Sequence, residues 1–283
     1  MNKAKLEYIW IGGNNEIRTK TKIQSFDLDY DTFNIKSARN LPVWNYDGSS
    51  TNQASGEDSE VLLKPVKVYK NPFNKNNNIP SYLVLCETFM GNLDKPHPTN
   101  TRHEARNVFN KSNTDTYKPL FGIEREFFVY DNKPKPSVPL GWENGEPKPQ
   151  GPYYCSVGAG KCYGKEFLEE ALDLSLLAGL EITGSNIEVC PGQMEIQVCS
   201  EGLEAADSCI ILSYILDRLG EEYNYSIDWR AKPIKGDWNG SGCHVNFSTV
   251  QMRTDPKKSL LTGNLGYSEI IKAIKRLETK HAE

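Results

Sequence analysis

The stretch from Gly122 to Tyr130, Gly-Ile-Glu-Arg-Glu-Phe-Phe-Val-Tyr, constrains the fold of this chain most. Its β-branched and aromatic residues predict a strand, in which successive side chains point to opposite faces. Glu124 and Glu126 therefore share one face, about 6–7 Å apart along the strand. Because an unpaired carboxylate is costly to bury, two of them on one face of an interior strand indicate a cation between them.

A second pair of glutamates lies in the segment 184–198, which is predicted to be a strand, a Pro-Gly turn and a second strand. If Pro191 and Gly192 form the turn, an antiparallel register places Glu188 directly opposite Glu195. At about 5 Å and an effective dielectric constant near 20, the repulsion between them is roughly 3 kcal/mol. This register is a hypothesis, because Pro-Gly does not favour the tightest hairpin turns.

A third predicted strand, Cys243–Ser248, carries His244, Asn246 and Ser248 on one face. Four glutamates and one histidine form an oxygen-rich shell that suits hard divalent cations. Each piece alone has a simpler interpretation, since a glutamate pair is most often a solvated sheet face and a strand histidine is most often a hydrogen-bonded core residue. Three such strands in one chain favour a metal site.

Composition indicates a globular protein of one or two domains, with 283 residues, 25% charged and 38% hydrophobic. The net charge of −4 gives no reason to expect a nucleic acid or an anionic membrane as a partner. The apolar runs are too short to span a bilayer and the first residues do not resemble a signal peptide, so we expect a cytoplasmic protein. Seven cysteines without a Cys-x-x-Cys pair predict buried free thiols and no zinc site.

Residues 6–89 are predicted to be mainly strands, and the polar, proline-bearing linker that follows at 91–98 suggests a domain boundary. The strands are expected at Leu6–Ile11, Ile17–Ile23, Val61–Tyr69 and Tyr82–Phe89. Pro65 favours an edge position, since proline cannot donate to a ladder. Trp44–Asn52 is predicted to be a loop, in which Asp47 either binds its own backbone as a turn residue or has a functional role.

Beyond the linker, the pattern predicts alternating helices and strands. The helices are expected at Thr99–Asn110, Gly164–Leu180, Gly202–Tyr223 and from Ser268 to the end. In the first of them, Ala105, Val108 and Phe109 are expected to face inward. The segment 134–160, rich in Pro and Gly, is predicted to be a long loop of the kind that covers or binds a ligand. No P-loop or dinucleotide fingerprint occurs, so a bound nucleotide needs metal ions to hold its phosphates.

Five motifs, in order and over nearly the whole chain, resemble the glutamine synthetases of the eukaryotic-type branch. They are Trp44–Thr51 (WNYDGSST), Gly122–Glu126 (GIERE), Pro149–Cys155 (PQGPYYC), Asn186–Glu195 (NIEVCPGQME) and Trp238–Thr249 (WNGSGCHVNFST). The resemblance implies an α+β fold. Residues 1–96 would form a β-grasp domain, and residues 97–283 a catalytic α/β domain whose curved antiparallel sheet lines a funnel.

The resemblance also implies two or more Mg²⁺ or Mn²⁺ ions per site, with ATP as a substrate. One ion would be held by Glu124 and His244, and the other by Glu126, Glu188 and Glu195. The matching nucleotide-binding positions are Glu124, Glu195, Gln197, Ser200, Asn246, Phe247 and Ser248. The matching positions for the substrate glutamate are Asp237, Trp238, Asn239 and Gly240.

Asp47 matches the family's loop carboxylate, which binds ammonium and takes its proton. In the family this carboxylate acts in the active site of a neighbouring subunit, so the resemblance implies a homo-oligomeric ring with active sites between subunits. The implied catalytic residues are Asp47, Glu124 and Glu195.

The sequence departs from the family at Arg125, Met194 and Asp237, and it stops before family strands that carry several arginines and a further glutamate ligand. We therefore expect a catalytic domain that is incomplete at its C-terminal part and a chain that is a poor or inactive ligase. Three functions stay open: a glutamate–ammonia ligase acting through γ-glutamyl phosphate, an inactive relative with a structural or regulatory role, and a ligase for another amine. Asp47 favours ammonia, because a loop carboxylate suits a small cation.

Overall fold

The computed structural model describes residues 2–26, 37–76, 78–111, 114–254 and 265–280. It is a mixed α+β structure with two sheets. The first sheet contains β1 (Asn2–Ile11), β2 (Ile17–Phe26), β3 (Trp44–Asp47), β4 (Glu60–Lys70) and β5 (Ser81–Met90). The second contains β6 (Leu120–Asp131), β7 (Val138–Pro139), β8 (Ile182–Ile187), β9 (Gln193–Glu201), β10 (Tyr225–Asp228) and β11 (Cys243–Ser248). The helices are α1 (Thr101–Lys111), α2 (Thr114–Tyr117), α3 (Lys165–Ala178), α4 (Leu203–Tyr223) and α5 (Leu265–Glu278).

The first sheet has the order β2-β1-β5-β4-β3, in which β1 and β5 are parallel and the other neighbours antiparallel. Its central strand β5 is buried on both faces because it serves two cores. Tyr82 and Val84 pack into a core within this sheet, whereas Leu83 and Leu85 pack into a larger core shared with the second sheet, α3 and α4. The two sheets are therefore joined by apolar packing, and the division at 96/97 stays a prediction.

The strands predicted in the first sheet are confirmed, but two details are wrong. The strand that holds Pro65 is not at the edge, since β4 lies between β5 and β3. Proline is tolerated there because β3 is short and pairs only with residues 60–63, and because the pairing with β5 shifts at Pro65. The segment Trp44–Asp47, predicted to be loop, is β3, because the Tyr46 side chain is buried in the core of this sheet.

The second sheet is built around β6, which pairs with β9 on one side and with β10 and β11 on the other. Phe127 and Val129 point to the large core with α3 and α4, which places Glu124 and Glu126 on the opposite face. That opposite face is covered beyond Glu126 by a small core of Phe128, Tyr153, Cys190 and Trp238. Glu124 and Glu126 therefore lie on the face of the second sheet that also carries the small core, next to the part of that face which the small core covers.

The helices are confirmed, with a correction to the inward face of α1. Val108, expected to be buried, is 62% exposed. Ala105 and Phe109 are half-buried as expected, and the same inward face also carries Arg102 and Arg106, which form ion pairs with the buried Glu87 of β5. A hydrophobic pattern cannot reveal this face, because its burial depends on charged partners far away in the sequence. The last helix begins at Leu265 and ends at Glu278, and residues 281–283 lie outside the described residues.

All seven cysteines are free thiols, but the expectation that they are buried holds only for Cys86, Cys190 and Cys209. Cys155 and Cys243 are exposed. Cys155 lies in a loop, and Cys243 is the first residue of β11, a strand whose residues are mostly exposed. No helix in the described part of the chain is both long and apolar enough to cross a membrane.

Candidate functional site

Three glutamates from neighbouring elements of the second sheet converge on one point. Glu126 lies on β6, Glu195 lies directly opposite it on β9, and Glu188 follows the end of β8. One carboxylate oxygen from each lies within 4.8 Å of the other two. Glu188 and Glu195 are buried and the Glu126 side chain is only 11% exposed. This geometry is that of a hard-cation site built from carboxylate oxygens.

The partner of Glu195 differs from the predicted register. Across β8 and β9, Glu195 faces Asn186, so the predicted direct opposition of Glu188 and Glu195 is wrong. Pro191 and Gly192 do lie at the centre of the turn, since the Gln193 N–H donates to the Cys190 carbonyl at 2.9 Å. The strand pairing resumes only at Glu188, whose N–H donates to the Gln193 carbonyl at 2.9 Å, so residues 189–192 form a wider connection than predicted. Gly192 has φ +82°, which suits the position after proline in a type II turn. The facing carboxylate is that of Glu126.

Among the residues described, the cluster has no lysine or arginine partner, and the basic side chain beside it is His244, at 3.7 Å from Glu126. Burial raises the pKa of Glu188, and the charges of Glu126 and Glu195 raise it further. Its two oxygens accept hydrogen bonds from the Val189 N–H at 3.0 Å and the Asn186 amide at 2.9 Å. No lysine or arginine of the described ranges forms an ion pair with the three glutamates. A buried group of three acids without a lysine or arginine partner fits a bound divalent cation.

Neutral donors orient two of these carboxylates. The Oε2 atom of Glu126 accepts from Gln193 Nε2 at 2.9 Å and from the Gly242 N–H at 3.0 Å. Glu195 Oε1 accepts from Gln197 Nε2 at 2.7 Å. A Cβ at Gly242 would lie 2.7 Å from His244 Nε2, so a larger residue here would displace the exposed His244 side chain. Donors of this kind hold a carboxylate in one orientation, as hydrogen-bond partners of metal ligands do.

Glu124 and His244, predicted to hold a second cation, face each other across β6 and β11. The Glu124 carboxylate accepts a hydrogen bond from the Asn246 amide at 2.8 Å, and His244 Nε2 lies 3.7 Å from Glu126 Oε1. The His244 side chain is 66% exposed. Within the described residues, Glu124 and His244 lie beside the three-glutamate cluster but do not form a second cluster of three ligands.

The predicted nucleotide-binding residues divide between the two faces of the sheet. Gln197 and Asn246 alternate onto the face of Glu124 and Glu195, and each donates to one of these glutamates. Ser200 and Phe247 occupy the alternate positions, so only their backbone groups can share that face. Ser248 accepts from Arg253 at 2.8 Å through both its hydroxyl and its carbonyl.

The predicted substrate-binding segment 237–240 is attached to the long loop 134–160. The Trp238 indole is buried, packs on Trp142 with ring centroids 5.2 Å apart, and donates to Glu146 at 3.1 Å. The side-chain oxygen Oδ1 of Asn239 accepts from the Gln150 amide at 3.3 Å, and the Gly240 backbone carbonyl accepts from the Gln193 amide at 2.9 Å. Asp237 is exposed. The Trp238 side chain therefore anchors the segment in the small core.

Asp47 lies in the first sheet, at the start of a short 3₁₀ turn, and it is exposed. Its carboxylate accepts from the Ser49 N–H at 3.0 Å and the Ser49 hydroxyl at 2.6 Å. These hydrogen bonds hold the pKa of the Asp47 carboxyl below its usual range. Asp47 therefore acts as a turn residue that binds the backbone next to it, which is one of the two roles considered from the sequence. Its catalytic role stays a prediction.

Comparison with known proteins identifies the family. A family model described as glutamine synthetase, catalytic domain, matches residues 98–273. The chain belongs to the glutamine synthetase family. It is 42% identical to a putative glutamine synthetase of Acanthamoeba polyphaga mimivirus, over 98% of this chain and 73% of that protein. It is 43% identical to the chloroplastic glutamine synthetase of Zea mays, over 99% of this chain and 62% of that protein, and 43% identical to the cytosolic isozyme 1-5 of Arabidopsis thaliana, over 98% and 73%.

Glutamine synthetases are glutamate–ammonia ligases that depend on metal ions and ATP, and the acidic cluster of this chain agrees with that requirement. Sequence reasoning missed Gln193 and Gly242, which hold Glu126 through hydrogen bonds. Their only signal in the sequence was position, since each lies two residues from a predicted ligand. Their partner on β6 is more than 60 residues away, so local patterns could not reveal the contact.

The binding of a divalent cation to this site is expected to weaken as the pH falls. A raised pKa of Glu188 means that this group takes up a proton earlier on acidification than an exposed glutamate does, and a proton competes with the cation. Without metal, acidification is expected to stabilise the protein. A buried acid with a raised pKa destabilises the folded state at pH values above its unfolded pKa, and protonation removes this destabilisation. Melting temperatures with Mn²⁺ and with a chelator, compared between about pH 5 and 8, measure both effects.

In that experiment Glu188→Gln should flatten the pH dependence of the metal-free protein. Glu201→Gln, which alters an exposed glutamate at the end of β9, is the matched control and should behave as the wild type. A Mn²⁺-induced shift in melting temperature that grows on acidification would contradict the assignment of Glu188.

Proposed function

We propose that this chain catalyses the ATP-dependent ligation of ammonia to glutamate, giving glutamine through γ-glutamyl phosphate. The observation that carries the proposal is the cluster of Glu126, Glu188 and Glu195, which has no lysine or arginine partner among the described residues. Membership of the glutamine synthetase family supports the same reaction class. ATP, glutamate and ammonium are the proposed substrates.

Two divalent ions, Mg²⁺ or Mn²⁺, are the proposed cofactors. Glu126, Glu188 and Glu195 would hold one of them, and Glu124 with His244 would hold the other. When bound, such ions cancel the repulsion between the glutamate γ-carboxylate and the ATP γ-phosphate and orient both groups.

The protein's own residues position the reactants and exclude water. Gln197 and Asn246 present amides on the face where the nucleotide would lie. The segment 237–240 would bind the substrate glutamate, and its anchor in the small core ties it to the loop 134–160. We propose that this loop covers the site, because the acyl phosphate intermediate is readily hydrolysed and water must be excluded.

Asp47 is proposed to attract ammonium in the site of a neighbouring subunit. Its lowered pKa keeps the carboxylate ionised at neutral pH, which favours binding of a small cation. Proton transfer would follow only as the amine attacks, because a carboxyl of low pKa is a weak base. In a homo-oligomeric ring, the first sheet of one subunit would border the second sheet of the next. Asp47 of one subunit would then lie at the acidic cluster of its neighbour.

A complementation experiment tests the action of Asp47 across subunits. Asp47→Ala is expected to lower glutamine formation by about 100-fold, the lower range for loss of a positioned acid–base group. Mixing Asp47→Ala subunits with Glu195→Ala subunits should restore part of the activity, since some sites in mixed rings then combine two intact halves. Asp58→Ala, an exposed aspartate nearby in the chain, is the control. Full activity in a monomer, measured by sedimentation, would contradict the role.

The proposed reaction is tested by phosphate release from ATP. Release that requires both glutamate and ammonium, and that is lost in Glu195→Ala, supports the proposal. Release with methylamine but not with ammonium would indicate a ligase for another amine.

A second candidate is a catalytically inactive relative with a structural or regulatory role. The observation that favours it is that, among the described residues, Glu124 belongs to no group of three or more converging ligands, and its carboxylate accepts a hydrogen bond from Asn246. Cation binding without phosphate release under any combination of substrates would support this candidate over the ligase.

We further propose that residues 1–96 form a β-grasp domain and residues 97–283 a catalytic domain. The parallel pairing of β1 with β5 between two antiparallel pairs supports the first assignment. We place the protein in the cytoplasm, because all seven cysteines are free thiols and cytosolic isozymes are among its relatives.

A further inference from the structure

The side chain of Gln193, at the start of β9, lies against the acidic cluster and is almost entirely buried, at 1% exposed. Its amide nitrogen donates to Glu126 Oε2 at 2.9 Å and to the Gly240 carbonyl at 2.9 Å. Its amide oxygen accepts from the Cys190 N–H at 3.4 Å. Because an amide nitrogen carries only two hydrogens, both are used, and the side chain is held in one orientation.

The two acceptors belong to different parts of the proposed site. Glu126 is a proposed cation ligand, whereas Gly240 belongs to the proposed substrate segment 237–240. The Glu126 oxygen that Gln193 contacts, Oε2, also accepts from the Gly242 N–H at 3.0 Å. The other oxygen, Oε1, lies 3.7 Å from His244 Nε2.

The backbone of Gln193 adds a third connection. Its N–H donates to the Cys190 carbonyl and its carbonyl accepts from the Glu188 N–H, both at 2.9 Å. The residue therefore closes the turn that carries Glu188. Hydrogen bonds from one residue reach β6, the hairpin of β8 and β9, and the segment before β11.

We propose that Gln193 is a positioning residue that couples the cation site to the substrate segment. The inference rests on the proposed function, because it assumes that Glu126 binds a cation and that residues 237–240 contact glutamate. Gln193 touches neither cation nor substrate itself. It fixes the rotation of the Glu126 carboxylate and the separation between that carboxylate and the Gly240 carbonyl.

Gln193→Met tests this role, because methionine has similar length and volume but no N–H donor. Affinity of the full chain for Mn²⁺, measured by calorimetric titration, is expected to fall about 10- to 100-fold, as for other residues that orient metal ligands. In the active protein, the KM for glutamate should rise by a larger factor than kcat falls. Both readouts are needed, because a merely structural residue would change stability without this pattern.

Gln53→Met is the matched control. Gln53 is also buried, at 5% exposed, and its amide nitrogen also donates to two acceptors, the Ile11 carbonyl and the Thr99 hydroxyl. These contacts lie in and beside the first sheet, away from the acidic cluster. Gln53→Met should reduce stability by a similar amount and leave the Mn²⁺ affinity unchanged.

A double variant asks whether Gln193 acts through Glu126. In a Glu126→Gln background, Gln193→Met should change the remaining Mn²⁺ affinity by less than about twofold, because residues in one network are not additive. If Gln193→Met does not fold, Gln193→Asn takes its place, since asparagine is too short to reach both acceptors, and the same loss is expected.

Unchanged Mn²⁺ affinity in a folded Gln193 variant, or an equal loss with and without Glu126, overturns the inference and leaves the proposed function intact. An absence of Mn²⁺ binding in the wild-type chain has a different meaning. It refutes the cation site of the proposed function, and the role of Gln193 falls with it.

Discussion

Replacing Glu195 with alanine is expected to abolish most of the thermal stabilisation that Mn²⁺ or Mg²⁺ gives the wild-type protein. Glu195 is buried opposite Glu126 at the centre of the acidic cluster, so its loss removes one of the three converging oxygens. A cation at about 100 times its dissociation constant stabilises a folded protein by about 2.7 kcal/mol, and this is the amount at stake. Melting curves with and without the metal measure it directly.

The same variant makes an opposite prediction for the metal-free protein. Removing Glu195 relieves its repulsion of Glu188 and Glu126, so the metal-free variant should be at least as stable as the metal-free wild type. A residue needed only for packing would instead reduce stability in both conditions. The two measurements together therefore separate a cation ligand from a structural carboxylate.

Glu201→Ala, on the same strand but exposed at its end, is the matched control and should leave the metal-induced shift unchanged. If the full shift survives in the double variant Glu126→Ala/Glu195→Ala, the cation is bound elsewhere and the site assignment is wrong.

Replacing Arg102 with methionine is expected to reduce the free energy of unfolding by about 3–5 kcal/mol, the usual cost of removing one partner from a buried ion pair. Arg102 on α1 binds Glu87 of β5 at 2.7 Å and binds Asp207 of α4 with two parallel hydrogen bonds of 2.7 and 2.8 Å. Burial lowers the pKa of Arg102, but the hydrogen bonds and charges of Asp207 and Glu87 outweigh it and raise the value. Both acids are buried. The loss of Arg102 removes the arginine that binds Asp207 and leaves Glu87 with Arg106 at 3.2 Å.

Denaturant unfolding of Arg102→Met and of Arg39→Met, an exposed arginine in the first part of the chain, measures this effect. The control should change stability by less than about 0.5 kcal/mol, as surface substitutions usually do. Adding Asp207→Leu to Arg102→Met should recover part of the loss, because it removes an uncompensated buried charge. A loss below about 1 kcal/mol for Arg102→Met would show that this network contributes little.

Much of the candidate site could be predicted from the sequence, because side-chain alternation along a strand is a local property of the extended backbone. The glutamates of β6 and the residues His244 and Asn246 of β11 were placed on single faces for this reason, and the structure has them there. The helices α3 and α4 followed from apolar residues that recur at helical spacing, which is also a local signal.

The family resemblance had grouped Glu126, Glu188 and Glu195, but the local patterns of the chain could not show how these carboxylates meet. The hairpin by itself suggested that Glu188 faces Glu195, but β6 lies beside β9 and presents Glu126 to Glu195, while the wider turn places Glu188 beyond the end of β8. The charged inward face of α1 was likewise hidden, since Glu87 and Asp207 come from distant segments. Strand order and long-range ion pairs depend on how separate segments pack, and a local pattern carries no information on its distant partner.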